Sequence, residues 1–385
     1  MKCLVVGCGL SGAVIARELA EKNFEVEILE RRAHIAGNLY DYKDEYGVLV
    51  HKYGPHTFHT NDYSLFSYIS KYHKWHDYKL MCGAEINGII TPTPFNFKTI
   101  DQFLSVNDAS RLKSKLREHF GERERVTILE VLNSESKIIR DYGNFLFDND
   151  YRPYTAKQWG IPPQLIDPSI LKRVPIRLGY DEGYFDDLIQ VMPEVSYVSF
   201  FEELLRHRNI SVNLCVDAVD HLEIDTKIKK IYFDKKEITY PIVYTGALDE
   251  LFGFEFGSLP YRSLRFEWHH ADVPEVQPYA VVAFPQKDGF TRVVEFNKLP
   301  IQNCIGTTYE VEYPLEYLHG SNMEPYYPVL TQQSIAIHRQ YLDCAKEIKN
   351  FFCCGRLAEF KYYNMDQALR AALDVSKQII KQYQS

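Results

Sequence analysis

The sequence predicts an α/β fold in which a parallel-sheet domain is interrupted by a helical lobe and an antiparallel sheet lobe. Three observations lead to this prediction. The chain opens with an apolar strand pattern, the glycine-rich turn "GCGLSG" and a helical pattern. Helix-then-strand alternation returns between "SYVSFFEELLRHR" and "PIVYTG". The runs from about residue 259 to residue 314 then alternate as antiparallel strands do.

The opening turn fits a dinucleotide-binding fingerprint. Gly7, Gly9 and Gly12 have the spacing in which one glycine turns tightly, one admits a pyrophosphate to the backbone and one lets helix pack on strand. The next strand pattern, "FEVEILE", ends in Glu30, 18 residues after Gly12, about where a ribose hydroxyl needs a charged acceptor. We therefore predict a bound dinucleotide, and an empty βαβ unit with the same turn is the alternative.

The same patterns divide the chain into three lobes. The discontinuous dinucleotide-binding domain comprises residues 1–78, 196–250 and 335–385, and the helical lobe comprises residues 98–170. The sheet lobe comprises residues 79–97, 171–195 and 251–334 and includes a hairpin turning at "NG", residues 87–88. Near the end, a strand runs through Gly355 into a long amphipathic helix, which again aims backbone amides at a phosphate.

Composition excludes several classes of protein. The net charge of -8, from 44 Lys plus Arg against 52 Asp plus Glu, argues against a nucleic-acid binder. No run approaches the roughly 20 apolar residues of a membrane span, and the N-terminus does not have the form of a signal peptide. We expect no stable membrane insertion and a cytoplasmic location. The eight cysteines show neither CxxC nor zinc spacing, so reduced, mostly buried thiols and no metal are expected.

Twelve segments in this order and spacing resemble the UDP-galactopyranose mutase family over essentially the whole chain. They are "GCGLSGAVIARELAE", "ERRAHIAGNLYDY", "HKYGPHTFHTN", "YTAKQWG", "LKRVPIR", "YDEGYF", "YTGALDELF", "YRSLRFE", "FTRVVEF", "EYPLEY", "EPYYPV" and "GRLAEFKYYNMDQ". The resemblance implies a Rossmann-like FAD-binding domain and an isomerase. Such an enzyme interconverts pyranose and furanose forms of a nucleotide sugar, by attack of flavin N5 on the anomeric carbon as the diphosphate leaves.

The resemblance also implies the conditions in which the protein works. The FAD acts in its reduced state, so NAD(P)H or another reductant is needed to reduce it. Family members are often dimers, so a homodimer is expected. The product of the reaction, galactofuranose in activated form, places the enzyme in cell-surface polysaccharide biosynthesis.

Residues for the substrate follow from the family motifs. Arg173 and Arg292 match two arginines that clamp the diphosphate, where a rigid guanidinium fork meets phosphate charge with parallel hydrogen bonds. The matched tyrosines, which contact the diphosphate or line the sugar site, are Tyr184, Tyr327 and Tyr362. "YTAKQWG" matches a mobile loop that contains Trp159, which closes over the substrate, and Tyr154, which stacks near the base. Asn364 stands where an aspartate near the diphosphate is usual.

Residues for the flavin follow in the same way. His56 and His59 match a segment beside the flavin ring, where they position flavin and sugar and are candidates for proton transfer. An HxxH pair without a third ligand is a weak metal signal, so no metal is assigned to it. Besides the three glycines and Glu30, the expected cofactor-binding residues are Arg31, Asn38, His56, Gly355, Arg356 and Met365.

The chain departs from the family pattern around the base and the sugar. Asp150 and Tyr151 occupy the neighbourhood of an aromatic pair that sandwiches the uracil, and Tyr151 is retained as a substrate-binding candidate. Ala283 replaces an expected asparagine, Phe296 a histidine and Asn364 an aspartate. Such changes can redirect specificity. UDP-galactopyranose is the first expectation, with dTDP-fucopyranose and UDP-N-acetylgalactosamine as alternatives. An amine-oxidase-like flavin oxidoreductase and a non-catalytic FAD-fold binding protein are the remoter ones.

Overall fold

The structure is a computed structural model that describes residues 1–160 and 174–384 of the chain. The first strands are β1 (Lys2–Val6), β2 (Glu25–Glu30), β3 (Asp41–Lys43), β4 (Leu49–His51), β5 (Phe58–Thr60), β6 (Trp75–Asp77), β7 (Cys82–Ile86), β8 (Ile89–Thr93), β9 (Arg125–Val126), β10 (Ile176–Arg177) and β11 (Ile189–Pro193). The later strands are β12 (Ile210–Leu214), β13 (Leu222–Asp225), β14 (Lys230–Phe233), β15 (Lys236–Glu237), β16 (Ile242–Tyr244), β17 (Tyr261–Ala271), β18 (Val281–Ala283), β19 (Arg292–Glu295), β20 (Thr307–Glu316), β21 (Tyr327–Pro328) and β22 (Phe351–Cys353).

The described helices, numbered in chain order, lie between and after these strands. They are α1 (Leu10–Glu21), α2 (Tyr63–Ile69), α3 (Phe97–Phe103), α4 (Val106–Phe120), α5 (Ile128–Leu132), α6 (Lys137–Leu146), α7 (Arg152–Trp159), α8 (Tyr197–Leu205), α9 (Leu248–Leu251), α10 (Gln332–Lys346) and α11 (Met365–Gln384). A π-helical turn, Phe147–Tyr151, joins α6 to α7, and Gly37–Leu39 and Ala218–Asp220 form short 3-10 turns.

A parallel sheet of order β12-β2-β1-β16-β22 forms the first layer. β1 lies at its centre because its residues from Cys3 to Val6 are apolar and are covered on both faces. Helix α1 buries Val14, Ile15 and Leu19 and packs against α11 from the C-terminal end of the chain. Strands from the beginning, the middle and the end of the sequence thus share one sheet, which confirms the discontinuous Rossmann-like fold.

A seven-stranded sheet of order β21-β17-β20-β19-β18-β7-β8 forms the second layer. Its neighbours are antiparallel except for β18 and β7, which run parallel. The predicted hairpin joins β7 and β8 at Asn87 and Gly88, both of which have positive φ, as such a turn requires. Strand β11 pairs with β5 and β6 in a separate small sheet. Strands β7, β18 and β19 of this layer each contribute side chains to the lining of one cleft.

Helices α3 to α7 form the helical lobe around a core of their own. Its buried residues include Leu112, Leu116, Ile128, Val131 and Ile139. Two sequence expectations differ from this structure. The helical pattern beginning at Tyr63 ends at Ile69, and the chain then enters β6. The segment 154–159, expected in a loop, lies in α7, and its mobility stays a prediction. Both differences arise because packing against neighbouring elements overrides local pattern.

Two general properties complete the description. No helix in residues 1–160 or 174–384 combines the length and the apolar character that crossing a bilayer requires. The cysteines are less uniformly covered than expected: Cys3, Cys8, Cys82 and Cys354 are buried, whereas Cys215 is exposed.

Candidate active site

Two clefts adjoin at the carboxyl end of the parallel sheet. The glycine cleft, about 240 Å³ in volume, is bordered by Gly7, Gly9, Gly12, Glu30, Arg31, Asn38 and Gly355. The tyrosine cleft, about 280 Å³, is bordered by Tyr151, Tyr154, Tyr184, Tyr327, Tyr362 and Arg292. Five residues, which we call the junction, line both clefts: His56, Arg356, Tyr363, Asn364 and Met365. A ligand in one cleft therefore ends where a ligand in the other begins.

At its glycine positions the glycine cleft is lined by backbone, and a side chain added at Gly12 or Gly37 would collide with neighbouring backbone atoms. Gly7 has φ +96°, and a Cβ on Gly12 would lie 2.0 Å from the carbonyl oxygen of Gly7. A Cβ on Gly37 would lie 2.8 Å from the Cα of Gly9. The N-terminus of α1 borders this cleft, and its unpaired amide groups favour an anion. These residues fit the pyrophosphate of a dinucleotide such as FAD.

Glu30 lies at the end of β2 with only 6% of its surface exposed. Its carboxylate accepts the backbone N–H of Cys8 at 2.8 Å and that of Arg32 at 2.9 Å, one on each oxygen. Each oxygen keeps a further lone pair, so the group can still accept a ribose hydroxyl. The predicted role of Glu30 is therefore compatible with its surroundings.

Next to Glu30, two arginines are joined to the sheet layer by one carboxylate. Glu324 Oε2 lies 2.6 Å from Nη2 of Arg31 and 2.8 Å from Nη2 of Arg32. Arg32 also donates to Oδ1 of Asn38 at 3.0 Å and lies 4.3 Å from the ring centre of Tyr53. The pKa of Glu324, which burial would raise, is lowered by the two arginines. Arg32 and Glu324 were not among the sequence candidates.

In the tyrosine cleft, Arg292 is the central cation. Its Nη2 and Nε lie 2.7 and 2.8 Å from the same oxygen, Oε2, of the fully buried Glu312. Burial would lower the pKa of Arg292, but the Glu312 carboxylate outweighs it, so that the pKa lies well above the usual value. These contacts to Glu312 use Nη2 and Nε and do not involve Nη1. A fixed guanidinium thus keeps donor capacity for an anion in the cleft.

Aromatic hydroxyls and a second cation surround Arg292. The rings of Tyr327 and Tyr362 stack with 5.4 Å between centroids and 9° between planes. The guanidinium of Arg356 lies 5.3 Å from the first ring and 5.5 Å from the second. Tyr154 lies within electrostatic range of Arg292. This end of the cleft therefore combines two cations with hydroxyl groups, as a diphosphate requires.

The junction histidine His56 is neutral. Burial, together with the nearby Arg356 and Arg292 cations, lowers its pKa to about 4. Its Nδ1 lies 2.8 Å from the carbonyl oxygen of Gly54, and only a protonated Nδ1 can donate there. Nε2 is therefore the unprotonated nitrogen and acts as an acceptor. His56 can orient a hydroxyl or a ring N–H in the cleft.

His59 has a different environment, although it lines the same cleft. Its Nδ1 lies 2.7 Å from Oδ2 of Asp187, and its ring stacks on Phe185 with 3.6 Å between centroids. The carboxylate fixes the tautomer and the ring orientation. Asp187 was not among the sequence candidates, because nothing in the sequence pairs it with a histidine 128 positions away.

Helix α7 forms the outer wall of the tyrosine cleft. The hydroxyl of Tyr151 donates to the carbonyl of Val174 at 2.9 Å. Lys157 Nζ lies 2.7 Å from the carbonyl oxygen of Phe284 and 2.8 Å from that of Phe290, and it also contacts the carbonyl of Lys287. Three carbonyls around one ammonium hold the helix against the β18–β19 connection.

The sequence candidates converge on these clefts to a large degree. All the predicted cofactor-binding residues border the glycine cleft. His56, His59, Tyr151, Tyr154, Tyr184, Arg292, Tyr327, Tyr362 and Asn364 border the tyrosine cleft. Arg173 lies outside the described residues, as does the side chain of Trp159. Their assigned roles stay predictions. In residues 1–160 and 174–384 no group of three or more His, Cys, Asp and Glu side chains could hold a metal ion.

The fold and the paired clefts define a dinucleotide-dependent enzyme of the Rossmann-like class. The model of the UDP-galactopyranose mutase family matches residues 149–362, and that of an NAD(P)-binding Rossmann-like domain matches residues 5–72. The UDP-galactopyranose mutase of Mycoplasma pneumoniae is 34% identical over 385 residues, which cover 98% of this chain and 96% of that protein. The dTDP-fucopyranose mutase of Escherichia coli is also 34% identical, with coverage of 99% and 98%.

Solved structures agree at the level of fold. A reduced UDP-galactopyranose mutase has a TM-score of 0.72 at 17% identity and covers 100% of this chain and 94% of its own. A putrescine oxidase variant has a TM-score of 0.59 at 12% identity, with coverage of 99% of both chains. The chain belongs to the UDP-galactopyranose mutase family. It is an isomerase of the mutase type with a flavin cofactor.

Proposed function

We propose that this enzyme interconverts UDP-galactopyranose and UDP-galactofuranose, using FAD in the reduced state. The similarity to mutases named for UDP-galactopyranose supports this substrate, and the similarity to the E. coli dTDP-fucopyranose mutase keeps dTDP-fucopyranose as the alternative. We further propose that NAD(P)H or another reductant reduces the flavin, and that the enzyme is a cytoplasmic homodimer serving cell-surface polysaccharide synthesis.

The observation that carries the proposal is the junction. A dinucleotide along the glycine cleft ends at His56, Arg356 and Met365, and the tyrosine cleft starts at the same residues. Bound and reduced, the flavin supplies a nucleophilic ring nitrogen and returns unchanged in oxidation state. The residues around it hold the hexose over the junction and receive the departing diphosphate.

Arg292 receives the diphosphate in this scheme. When the anomeric C–O bond breaks, negative charge grows on the phosphate oxygens, and a cation already in position stabilises it without reorganisation. Glu312 fixes the guanidinium, and the tyrosines at 327 and 362 add hydroxyl donors. Arg173 is proposed as the second clamp on its sequence motif alone.

The histidines are proposed to position the sugar and the flavin. With a pKa of about 4, His56 holds little charge at neutral pH, and its Nε2 accepts a hydrogen bond. His59, held by Asp187, supports the same wall. Glu30, Arg31, Asn38, the three fingerprint glycines and Gly355 are proposed to hold the FAD, with Arg356 and Met365 at its other end.

A substrate panel tests the proposal. Dithionite-reduced enzyme is incubated with UDP-galactose, dTDP-fucose and UDP-N-acetylgalactosamine, and the products are separated by chromatography. We expect ring contraction of UDP-galactose without net oxidation. Conversion of dTDP-fucose in its place would select the alternative, and conversion of none would overturn the mutase proposal. In a parallel sample of oxidised enzyme without dithionite, substrate-dependent flavin reduction would indicate the oxidoreductase class.

Variants of Arg292 test whether this residue stabilises the departing diphosphate. Arg292→Ala is expected to lower turnover by about 10² to 10³-fold, and Arg292→Lys to restore only part of it, because a lysine cannot present the fork. Arg265→Lys, an exposed arginine on the same sheet, is the matched control and should leave turnover unchanged.

A further inference from the structure

Asp150 is a carboxyl group in the tyrosine cleft that has no hydrogen-bond or ion-pair partner among residues 1–160 and 174–384. It lies in the π-helical turn Phe147–Tyr151 that leads into α7, it is half-buried, and it borders the cleft. No hydrogen bond or ion pair to another described residue engages it. Asp148, two residues earlier, instead pairs with Arg152 at 3.0 Å on the exposed side. Of these two neighbouring carboxylates, the one in the cleft is therefore the one free to bind a ligand.

The backbone around Asp150 is held in place. Asn149 donates to the carbonyl of Phe145 at 2.7 Å and accepts from Gln286 at 2.8 Å. On the other side the Tyr151 hydroxyl is bonded to Val174. π-Helical turns occur mostly as local insertions in α-helices and frequently at functional sites. The carboxyl is thus presented on a fixed support, as a recognition group needs to be.

Strand order in the seven-stranded sheet gives the order of groups along the cleft. At the junction, Arg356 and Arg292 act to lower the pKa of His56, and Arg292 also acts to lower the pKa of Tyr154. The π-helical turn that carries Asp150 packs on β7, which is two strands across the sheet from β19, the strand of Arg292. Arg292 and Arg356 therefore lie at the junction end, and Asp150 lies beyond these two described cations.

A nucleotide sugar has its groups in the corresponding order: hexose, diphosphate, ribose and base. With the hexose at the junction and the diphosphate at Arg292, the base is the group that reaches the Asp150 end. A carboxyl here would repel a phosphate, so it suits a neutral group that donates a hydrogen bond. Uracil and thymine each carry one ring N–H, at N3, between two carbonyl groups.

We propose that Asp150 selects the base of the substrate by accepting a hydrogen bond from its ring N3–H. This inference rests on the proposed function, since it takes the ligand to be a nucleotide sugar. The chain then recognises the base edge, in addition to any stacking on Tyr151 or Tyr154. A cytosine base has no N3–H and loses this contact.

The test compares UDP with N3-methyl-UDP, which lacks that donor. Binding to the FAD-loaded enzyme is measured by fluorescence titration for wild type, Asp150→Ala and Asp150→Asn. Asp148→Asn, which removes a carboxylate from the same turn but outside the cleft, is the matched control. Retained flavin absorbance checks that each variant is folded.

Wild type and Asp148→Asn are expected to bind UDP roughly 10- to 100-fold more tightly than N3-methyl-UDP, the range for a hydrogen bond to a charged group. Asp150→Ala should bind UDP more weakly and lose the preference, and Asp150→Asn should lose part of it. Equal binding of both nucleotides by wild type, or an undiminished preference in Asp150→Ala, overturns the inference while leaving the mutase proposal standing. Binding of neither nucleotide by wild type, together with no turnover in the substrate panel, overturns both.

Discussion

Arg292 and Glu312 lie directly opposite each other on β19 and β20, so the register of the sheet itself brings the clamp cation to its carboxylate. Glu312 has no exposed surface, and its second oxygen, Oε1, has no partner among the described residues. Glu312 therefore serves to hold the guanidinium of Arg292, and removal of its charge is expected to lower both stability and turnover.

Glu312→Gln is expected to reduce turnover by roughly 10- to 100-fold, because Arg292 loses the charge that fixes it. Leaving one member of a buried pair without its counter-charge also lowers the free energy of unfolding by about 3 kcal/mol. Steady-state kinetics and denaturant unfolding measure the two effects. Glu267→Gln, in an exposed pair on the same sheet, is the control and should change neither. Unaltered turnover in Glu312→Gln would show that Arg292 needs no support.

Gly12→Ala is expected to abolish flavin retention. The added Cβ would lie 2.0 Å from the carbonyl oxygen of Gly7, so helix α1 must move away from β1 and the cradle opens. Visible absorbance per protein measures the bound flavin. Gly179→Ala adds a Cβ with nothing within 4 Å and serves as the control. A yellow Gly12→Ala protein with normal stoichiometry would contradict the assignment of this cleft.

Lys157→Met is expected to raise the KM for the nucleotide sugar several-fold and to lower the free energy of unfolding. The methionine fills the same space but frees the three carbonyls that the ammonium holds. Hydrogen bonds to charged groups contribute about 1.5 to 3 kcal/mol each in favourable cases. Initial-rate kinetics and thermal unfolding test this, with the highly exposed Lys137→Met on α6 as the control. An unchanged KM would mean that the position of α7 does not limit binding.

His51→Asn is expected to flatten the loss of stability in acid. His51 is buried, and its pKa is lowered to about 3, first by burial and then by His56. Below the usual histidine pKa of about 6.5 the unfolded chain binds a proton that the folded chain refuses, so stability falls as pH falls from about 6.5 towards 3.

The asparagine oxygen can replace Nδ1 of His51 in accepting the backbone N–H of His56, but it does not titrate. The slope of unfolding free energy against pH between 6.5 and 4.5 should decrease by up to about 1.4 kcal/mol per pH unit. Denaturant unfolding at a series of pH values measures it. Equal slopes for wild type and variant would show that His51 is protonated in the folded protein.

Short sequence patterns predicted those parts of the site whose residues lie close together in the chain. The turn from Gly7 to Gly12 and the strand end at Glu30 lie within one βαβ unit, so their spacing alone indicated the glycine cleft. The family motifs extended this to Arg292, Tyr327 and Arg356, which border the expected clefts.

Partners that come from distant segments could not be found in this way. Glu312 meets Arg292 through strand register. Asp187, just before β11, meets His59 on the paired strand β5. Glu324 reaches Arg31 from the segment between β20 and β21. No periodicity marks such pairs, because each depends on how the sheets are placed. The helical state of residues 154–159 was missed for a related reason, since Lys157 and Tyr151 hold that segment through contacts outside it.

The parallel sheet also has a consequence for synthesis on the ribosome. Its edge strand β22, at residues 351–353, pairs with β16, and Gly355 and Arg356 follow immediately. A nascent chain exposes the fingerprint glycines early, yet the glycine cleft is complete only after Gly355, Arg356 and Met365 have emerged. We therefore expect flavin capture to follow synthesis of residues 351–365, and a chain truncated before residue 351 to lack flavin.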